Sequence, residues 1–172
     1  MAKKISIGLS PRELSRAIRE LDEFQDEFHR KLEKFTQRVA ETMADHANRG
    51  FSAALLDDLL QGSSRSASVQ VSVQHNHQVS LVIAKGEDAV WVEFGTGVYH
   101  NGSAGSSPHP RGSELGMTIG GYGAGRGKRK VWGYYEEGEL TLTHGTPATM
   151  PMYRAATTVC AEISKIAREV FG

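Results

Sequence analysis

The sequence is poor in features that define several large classes of proteins. It contains a single cysteine among 172 residues, which excludes an intramolecular disulfide and a cysteine zinc cluster. No stretch approaches the roughly 18 consecutive apolar residues of a membrane-spanning helix, and no apolar run follows the N-terminal lysines. Its 20 basic and 20 acidic side chains cancel, so overall charge gives no attraction to nucleic acid or anionic membranes. We therefore expect no membrane partner and a protein made and kept in the cytoplasm.

Sequence motifs for nucleotide binding and hydrolysis are also missing. The glycine-rich stretch at residues 120–128 has Tyr122 where a P-loop requires glycine and Arg129 where it requires serine or threonine. The third glycine of a GxGxxG dinucleotide-binding pattern is replaced by Arg126 or Lys128. No Gly-x-Ser-x-Gly nucleophile motif occurs. The sequence thus predicts no catalytic residue, no cofactor and no enzymatic activity.

A metal site is not predicted either. His75 and His77 are spaced to share one face of a strand, but a transition-metal site needs further ligands that converge on the pair. The spacing of the other histidines places none of them there. Cys160 lies in a helical pattern, where we expect it to be a small buried hydrophobic residue.

The N-terminal third of the chain has the pattern of a long helix. Ser10-Pro11-Arg12-Glu13 forms a capping box with proline at the first helical position. Apolar residues then recur at alternating steps of three and four, with no glycine or proline before Gly50. A helix over residues 11–49 would be about 58 Å long, whereas a compact chain of this size has a radius of gyration of about 16 Å. The helix must break or protrude, and a protruding part would need a neighbouring subunit to cover its apolar stripe.

The remaining elements are predicted from shorter patterns. A second helix is expected over residues 51–61, and the last helix over residues 152–171. Alternating apolar residues predict a hairpin over residues 69–83, a third strand over residues 89–94 and a second hairpin over residues 131–144. The predicted fold is a single α+β domain over residues 1–172. It has a long N-terminal helix, a mainly antiparallel sheet of four to five strands and a C-terminal helix packed on that sheet.

A long glycine-rich loop is predicted over residues 97–130. It contains five basic residues and one acidic residue. Four of the basic residues cluster near its end, namely Arg126, Lys128, Arg129 and Lys130. We expect this cluster either to contact an acidic partner or to belong to a simple soluble loop, and a contact with DNA phosphates is the alternative.

Three short motifs follow one another along the second half of the chain. The first motif is Glu93-Phe94-Gly95-Thr96-Gly97, which ends the stretch that begins with Trp91-Val92. The second motif is His109-Pro110. The third motif spans residues 145–156 and includes Gly145, Pro147 and Pro151. We expect the first to stop at glycines with positive φ, and the third to begin a helix at a proline. Glu93 is expected to accept hydrogen bonds from backbone amides in the tight turn. No second acid or base is visible beside it.

In this order, the three motifs resemble those of the head-tail joining, or tail-completion, proteins of long-tailed bacteriophages and prophages. The resemblance covers roughly residues 68–172 and implies a structural protein of the virion neck. Such a protein would be assembled in the cytoplasm of the bacterial host and would join the DNA-filled head to the tail. Its partners would be further copies of itself in a ring, together with neighbouring head-connector and tail proteins, and DNA would pass nearby.

We expect the interface between copies to use the long helix and the two tryptophans, through Phe28, Leu32, Phe35, Trp91 and Trp132, together with the 97–130 loop. Three alternatives remain open from the sequence. The protein could instead be a tail-tube terminator, a minor head component or a DNA-binding protein that uses the basic residues 126–130.

Overall fold

The computed structural model describes residues 8, 10–60, 69–95, 109–112, 114, 131–143 and 148–172. Its elements, in chain order, are helix α1 (Pro11–Leu60), strands β1 (Gln70–Asn76) and β2 (Val79–Lys85), helix α2 (Ala89–Phe94), strands β3 (Trp132–Glu136) and β4 (Glu139–Thr143), and helix α3 (Pro151–Phe171).

These elements form an α+β structure with a long N-terminal helix and a C-terminal helix, as predicted. The predicted single sheet of four to five strands is not confirmed. Among the described residues, β1 pairs antiparallel with β2, and β3 pairs antiparallel with β4, in two separate two-stranded sheets. Helix α3 packs mainly against α1 and not on a sheet face. The C-terminal helix therefore uses a helix as its main support, which corrects the prediction.

Helix α1 begins at the predicted residue, and its capping box is formed. The Ser10 hydroxyl donates to Glu13 Oε2 at 2.6 Å, and the Glu13 amide donates to Ser10 Oγ at 3.3 Å. The pKa of the Glu13 carboxyl is held below its usual range, mainly by the hydrogen bond from the Ser10 side chain and to a smaller extent by the hydrogen bond from the Ser10 amide. The first turn of α1 is therefore closed by its own side chains.

The predicted helix end at residue 49 and the separate helix over residues 51–61 are wrong, because α1 runs through Gly50 to Leu60. Glycine inside a helix costs about 1 kcal/mol relative to alanine. Here its missing side chain allows a close approach, since a Cβ on Gly50 would lie 2.8 Å from Cβ of Pro151. The buried α1 residues recur at steps of three and four around this point: Ala40, Ala44, Ala47 and Phe51.

Helix α3 runs antiparallel to α1. Its last ring, Phe171, lies 6.1 Å from the Phe28 ring and 5.9 Å from the Phe35 ring, whereas its first residue faces Gly50. The 50 residues of α1 and the 21 residues of α3 correspond to lengths of about 75 Å and 32 Å. Residues 11–27 of α1 therefore extend beyond the end of α3.

Cys160 is exposed, so the prediction that it is buried is wrong. Its neighbour Val159 is buried, as are Ala155 and Ile166. Successive residues are about 100° apart around a helix of 3.6 residues per turn, which turns Cys160 away from the face that Val159 buries.

The β1–β2 hairpin packs on α1, which confirms the first predicted hairpin. The Val71 amide donates to Asn48 Oδ1 of α1 at 3.3 Å. The turn lies at His77, whose φ is 49°, so His75 lies within β1. His75 hydrogen-bonds to Ser80 at 2.7 Å. The two histidines do not converge on a common site, and no metal-binding cluster of three or more His, Cys, Asp or Glu occurs among the described residues.

Residues 89–94 form helix α2 and not the predicted third strand. Ala89, Val92 and Glu93 are buried at helical steps of three and one, and the Val92 amide donates to the Asp88 carbonyl at 2.9 Å. A run of six residues is too short for apolar spacing to distinguish a helix from a strand. The β-branched and aromatic composition of this run favours a strand, and tertiary burial overrides that preference.

Gly95 ends α2 with φ 75° and ψ 159°, a region that is essentially restricted to glycine. The predicted positive φ is confirmed at Gly95, whereas Gly97 lies outside the described residues. In the part of the chain that the structure covers, no helix has the length and apolar character needed to cross a membrane.

We predict that Gly50→Val lowers the free energy of unfolding by about 2–3 kcal/mol, because the new side chain meets the rigid proline ring at the α1–α3 crossing. Ser52→Val is the matched control, since Ser52 is exposed on the same helix and the helix-propensity cost of valine is similar. Urea denaturation of both variants measures the difference. Equal stability of the two variants would contradict the close crossing.

We also predict that the first turn of α1 loosens in acid. Because the folded pKa of Glu13 is lowered, its stabilising contribution is present above the usual value of 4.5 and is lost as the pH falls through the folded pKa. The Cα chemical shifts of residues 11–14 should then move toward random-coil values. Glu13→Ala should show the reduced shifts already at neutral pH, and Glu23→Ala, an exposed residue further along α1, should not.

Candidate functional site

The buried carboxylate of Glu93 is the centre of the candidate site. Its Oε2 accepts a hydrogen bond from the Met152 amide at 2.8 Å, and its Oε1 accepts one from the Tyr153 amide at 2.9 Å. His109 Nε2 lies 3.0 Å from the same Oε1. Three donors from two distant segments therefore meet on one side chain.

The hydrogen bonds of His109 define its tautomer. A carboxylate only accepts hydrogen bonds, so Nε2 carries the proton that faces Glu93. On the other side of the ring, Nδ1 accepts the Arg111 amide at 3.1 Å. The ring also lies against two aromatic rings, with centroids 4.4 Å from Phe94 and 5.3 Å from Tyr153. His109 is therefore a neutral imidazole held in one orientation.

Glu93 acts as a remote cap for helix α3. The N-cap residue of α3, Met150, has φ 56° and makes no side-chain capping hydrogen bond. Pro151 has no amide hydrogen at the first helical position, and the next two amides, those of Met152 and Tyr153, point at Glu93. The positive end of the helix dipole also favours a carboxylate at this place. A side chain about 60 residues earlier thus supplies what a local Ser, Thr or Asp would usually supply.

A second contact holds α2 and the start of α3 together. The Thr149 amide donates to the Val92 carbonyl at 3.0 Å, and the Thr149 hydroxyl donates to the same oxygen at 3.2 Å. Val92 is almost completely buried beside Ala89 and Phe51 of the core. The capping carboxylate is therefore carried by a well-packed turn of helix.

The site brings together one residue or amide pair from each of the three sequence motifs. Glu93 belongs to the first motif, His109 to the second, and Met152 and Tyr153 to the third. The expectation that Glu93 accepts backbone amides is confirmed, but the amides belong to the start of α3 and not to the tight turn. The statement that no acid or base lies beside Glu93 is wrong, because His109 is in direct contact.

The polar atoms of the Glu93–His109 pair are all hydrogen-bonded, and the pair borders a cavity. Both carboxylate oxygens and both ring nitrogens have hydrogen-bond partners. A cavity of about 370 Å³ adjoins the pair, and most of its lining is apolar: Phe51, Ala84, Ala89, Val90, Phe94, Met152 and Ala156. The same cavity is also lined by Glu93, His109, Arg111 and Tyr153.

Several predicted site residues lie apart from this centre. Phe28 is exposed and Leu32 is half-buried, whereas the Phe35 ring contacts Phe171 of the same chain. Trp91 is half-buried on α2, and the backbone of Trp132 is part of β3. Other predicted residues lie outside the described part of the chain: Thr96, Gly97, Gly145, Pro147, Arg126, Lys128, Arg129 and Lys130.

Sequence reasoning missed the pairing of Glu93 with His109 and the start of α3. One signal was available, because a glutamate in an apolar turn is seldom buried without donors. His109 and the proline-initiated helix were the polar groups in the other two motifs that could supply them.

Comparisons with protein-family models, with curated proteins and with solved structures find no match to this chain. The function is therefore inferred from the three motifs and from the geometry of the residues that carry them.

We predict that Glu93→Gln destabilises the protein by about 2–4 kcal/mol. The amide group keeps one acceptor oxygen but places an NH₂ group against a backbone amide or against His109, which leaves buried donors without an acceptor. Glu87→Gln is the matched control, since Glu87 is exposed two residues before α2. Chemical denaturation of the two variants measures the effect, and a loss below about 0.5 kcal/mol for Glu93→Gln would show that the carboxylate is dispensable.

Proposed function

We propose that this chain is a structural protein of the neck of a long-tailed phage virion, where it joins head to tail by assembly and not by turnover. The observation that carries the proposal is the meeting of the three motifs at Glu93. Motifs that lie 16 and about 60 residues apart in sequence form one hydrogen-bonded unit. They therefore belong to a single architectural feature, which supports the use of their order as a family resemblance.

The surface of the chain supports an assembly role. Residues 11–27 of α1 extend past α3 and carry large exposed apolar side chains, including Leu14, Ile18 and Leu21. Exposed apolar patches of this kind mark protein–protein contacts. A protein that works by contact needs such surfaces, whereas the buried Glu93–His109 pair offers no free group for substrate chemistry.

The neck role is tested by deleting the gene from the phage or prophage and imaging the particles by negative-stain electron microscopy. We expect DNA-filled heads beside separate, finished tails. Tails of abnormal length would indicate a tail-tube terminator, and defective heads would indicate a minor head component. Normal intact virions would contradict the proposal and favour the DNA-binding alternative.

Complementation connects the phenotype to the site. A plasmid copy with Glu87→Gln should restore joined virions at every growth temperature. A copy with Glu93→Gln should lose joining as the temperature rises, because its α3 is no longer capped. Equal rescue by both copies would show that joining of heads and tails does not depend on the Glu93 site.

A further inference from the structure

Strand β2 has an open edge. In an antiparallel pair, every second residue turns its amide and carbonyl away from the partner strand. The Val71 amide of β1 does so, because it donates to Asn48 of α1. Val71 pairs with Ala84, so the same role falls on β2 to Ala84, Val82 and Ser80. Within the described residues, the amides of these three β2 residues make no hydrogen bond.

Strand β3 also has an open edge. Both residues of the hairpin turn at 137–138 have positive φ, 51° and 88°, as in the type I′ turn, whose flanking residues are hydrogen-bonded to each other. The residues of β3 that turn their backbone groups away from β4 are then Tyr135 and Gly133. Among the described residues, neither β3 nor β4 pairs with a third strand. A hairpin of two strands alone is at best marginally stable in water.

One face of the β3–β4 hairpin is apolar and exposed, and we call it the hairpin face. Tyr135, Leu140 and Leu142 lie on it and are 77%, 58% and 67% exposed. Gly133 lies on the same face, and both leucine side chains lie over it, at 2.9 Å and 3.3 Å from where its Cβ would be. Contiguous apolar surface of this kind marks a contact with another protein surface.

Pairing of the two open edges would bring the hairpin face to the helix side of the β1–β2 sheet. Residues directly opposite each other in an antiparallel pair point to the same face. The outward backbone groups of β2 include those of Ala84, whose side chain packs against the core around Phe51 of α1. The outward backbone groups of β3 belong to Tyr135 and Gly133, both on the hairpin face. Main-chain pairing therefore covers the apolar faces on one side.

An apolar cavity lies on the same side of β2. The cavity of about 370 Å³ beside Glu93 is lined by Ala84 but not by Val71, the β1 residue opposite Ala84. It therefore lies toward the open edge of β2. Its lining from α2 includes Val90, which is 39% exposed. A strand added at this edge would bring the hairpin face next to that apolar lining.

We propose that β3 of one copy pairs antiparallel with the open edge of β2 of the next copy, so that two hairpins form one four-stranded sheet. Main-chain hydrogen bonds are a general way for one strand to bind an exposed sheet edge. This contact deepens the proposed neck function and rests on its ring assembly. The two edges differ, so each copy offers one of each, and such a heterologous contact forms a ring when its rotation closes.

Residue types favour one register of the new pair. Aligning the turn ends of the two strands places Tyr134 opposite Leu81 and Trp132 opposite Ile83. Cross-strand pairs of an aromatic and a branched aliphatic residue stabilise a sheet. In the single copy Leu81 is 55% exposed. The contact therefore also covers apolar side chains on the outer face of β2.

Charge favours β3 over β4 as the added strand. Residues 131–143 contain three glutamates next to the turn and no basic residue. An antiparallel β4 would bring them beside residues 85–88, which hold two acidic residues and one basic residue. An antiparallel β3 brings them to the other end of β2, where residues 69–84 contain no acidic residue. The exposed His77 lies at that end, 3.5 Å from Glu33 of α1.

Cysteine cross-linking of the full-length chain tests the contact. The single native cysteine is first removed by Cys160→Ser, and Leu81→Cys and Tyr134→Cys are then introduced in separate chains. The proposed register places the two thiols opposite each other at a pair without hydrogen bonds, where antiparallel strands lie closest and a disulfide can form. The control is Ser72→Cys, which shares the outer face with Leu81 but lies on β1. Circular dichroism establishes that each variant is folded.

Oxidation of an equimolar mixture of the Leu81→Cys and Tyr134→Cys chains should give a linked dimer, whereas Ser72→Cys with Tyr134→Cys should give none. A chain with both Leu81→Cys and Tyr134→Cys should give a ladder of covalent oligomers. If that chain instead forms only monomers with an internal disulfide, β3 pairs within its own chain and the contact is overturned. Absence of the linked dimer, or a preference of Leu81→Cys chains to link to one another, would also overturn it.

A proline substitution tests whether main-chain hydrogen bonds hold the contact. Tyr135→Pro removes an amide that points away from β4, so the hairpin itself keeps its pairing. It should weaken association about tenfold or more in sedimentation velocity, because it also places a ring against β2 of the neighbour. Tyr135→Val keeps the amide and the strand propensity and should stay within about threefold of wild type. Equal affinities of the two variants would overturn the pairing.

The contact and the neck function can fail separately. A deletion phage with unjoined heads and tails, together with no cross-link between copies, would remove the contact and leave the neck function. Normal virions after deletion, together with the linked dimer, would leave the contact and remove the neck function.

Discussion

The burial of the Glu93 carboxylate constrains how α2, the His109 segment and α3 meet. Removing a carboxylate from water costs several kcal/mol unless hydrogen bonds replace its hydration, and here the donors come from 16, 59 and 60 residues away. Each segment therefore depends on the others: α3 obtains its cap, His109 obtains a fixed tautomer, and Glu93 obtains the donors that its burial requires. These hydrogen bonds depend on one another, because losing one of them leaves a buried polar group without a partner.

The position of the Glu93 cap determines where α3 starts along α1. Capping fixes the start of α3 beside α2, and Gly50 allows Pro151 to approach α1 there. Running antiparallel from this point, α3 has only enough residues to reach Phe28 and Phe35 with its last ring. Helix α1 continues beyond that end, so the part of α1 that α3 does not cover follows directly from where α3 starts and how long it is. Leu14, Ile18 and Leu21 are exposed on this part of α1, and the proposed assembly role depends on such surface.

Local signals in the sequence predicted the features that depend on local physics. The capping box at Ser10 and the start of α3 near Pro151 were both predicted, because each uses residues within one turn of helix. The continuation of α1 through Gly50 was not predicted, because the glycine is needed for a close contact with Pro151 of α3, about 100 residues later. Helix α2 was missed because six residues carry too little periodicity. The hydrogen-bond partners of Glu93 were missed because they lie 16 to 60 residues away in the sequence. Contacts over such distances produce no periodic pattern of residue types.

Amide hydrogen exchange at the start of α3 tests the central claim most directly. The amides in the first turn of a helix normally lack intrahelical partners and exchange quickly. If Glu93 caps α3, the amides of Met152 and Tyr153 should be protected as strongly as interior amides of the same helix, such as that of Val159. Exchange of these two amides at the rates of an uncapped, fraying turn would contradict the account.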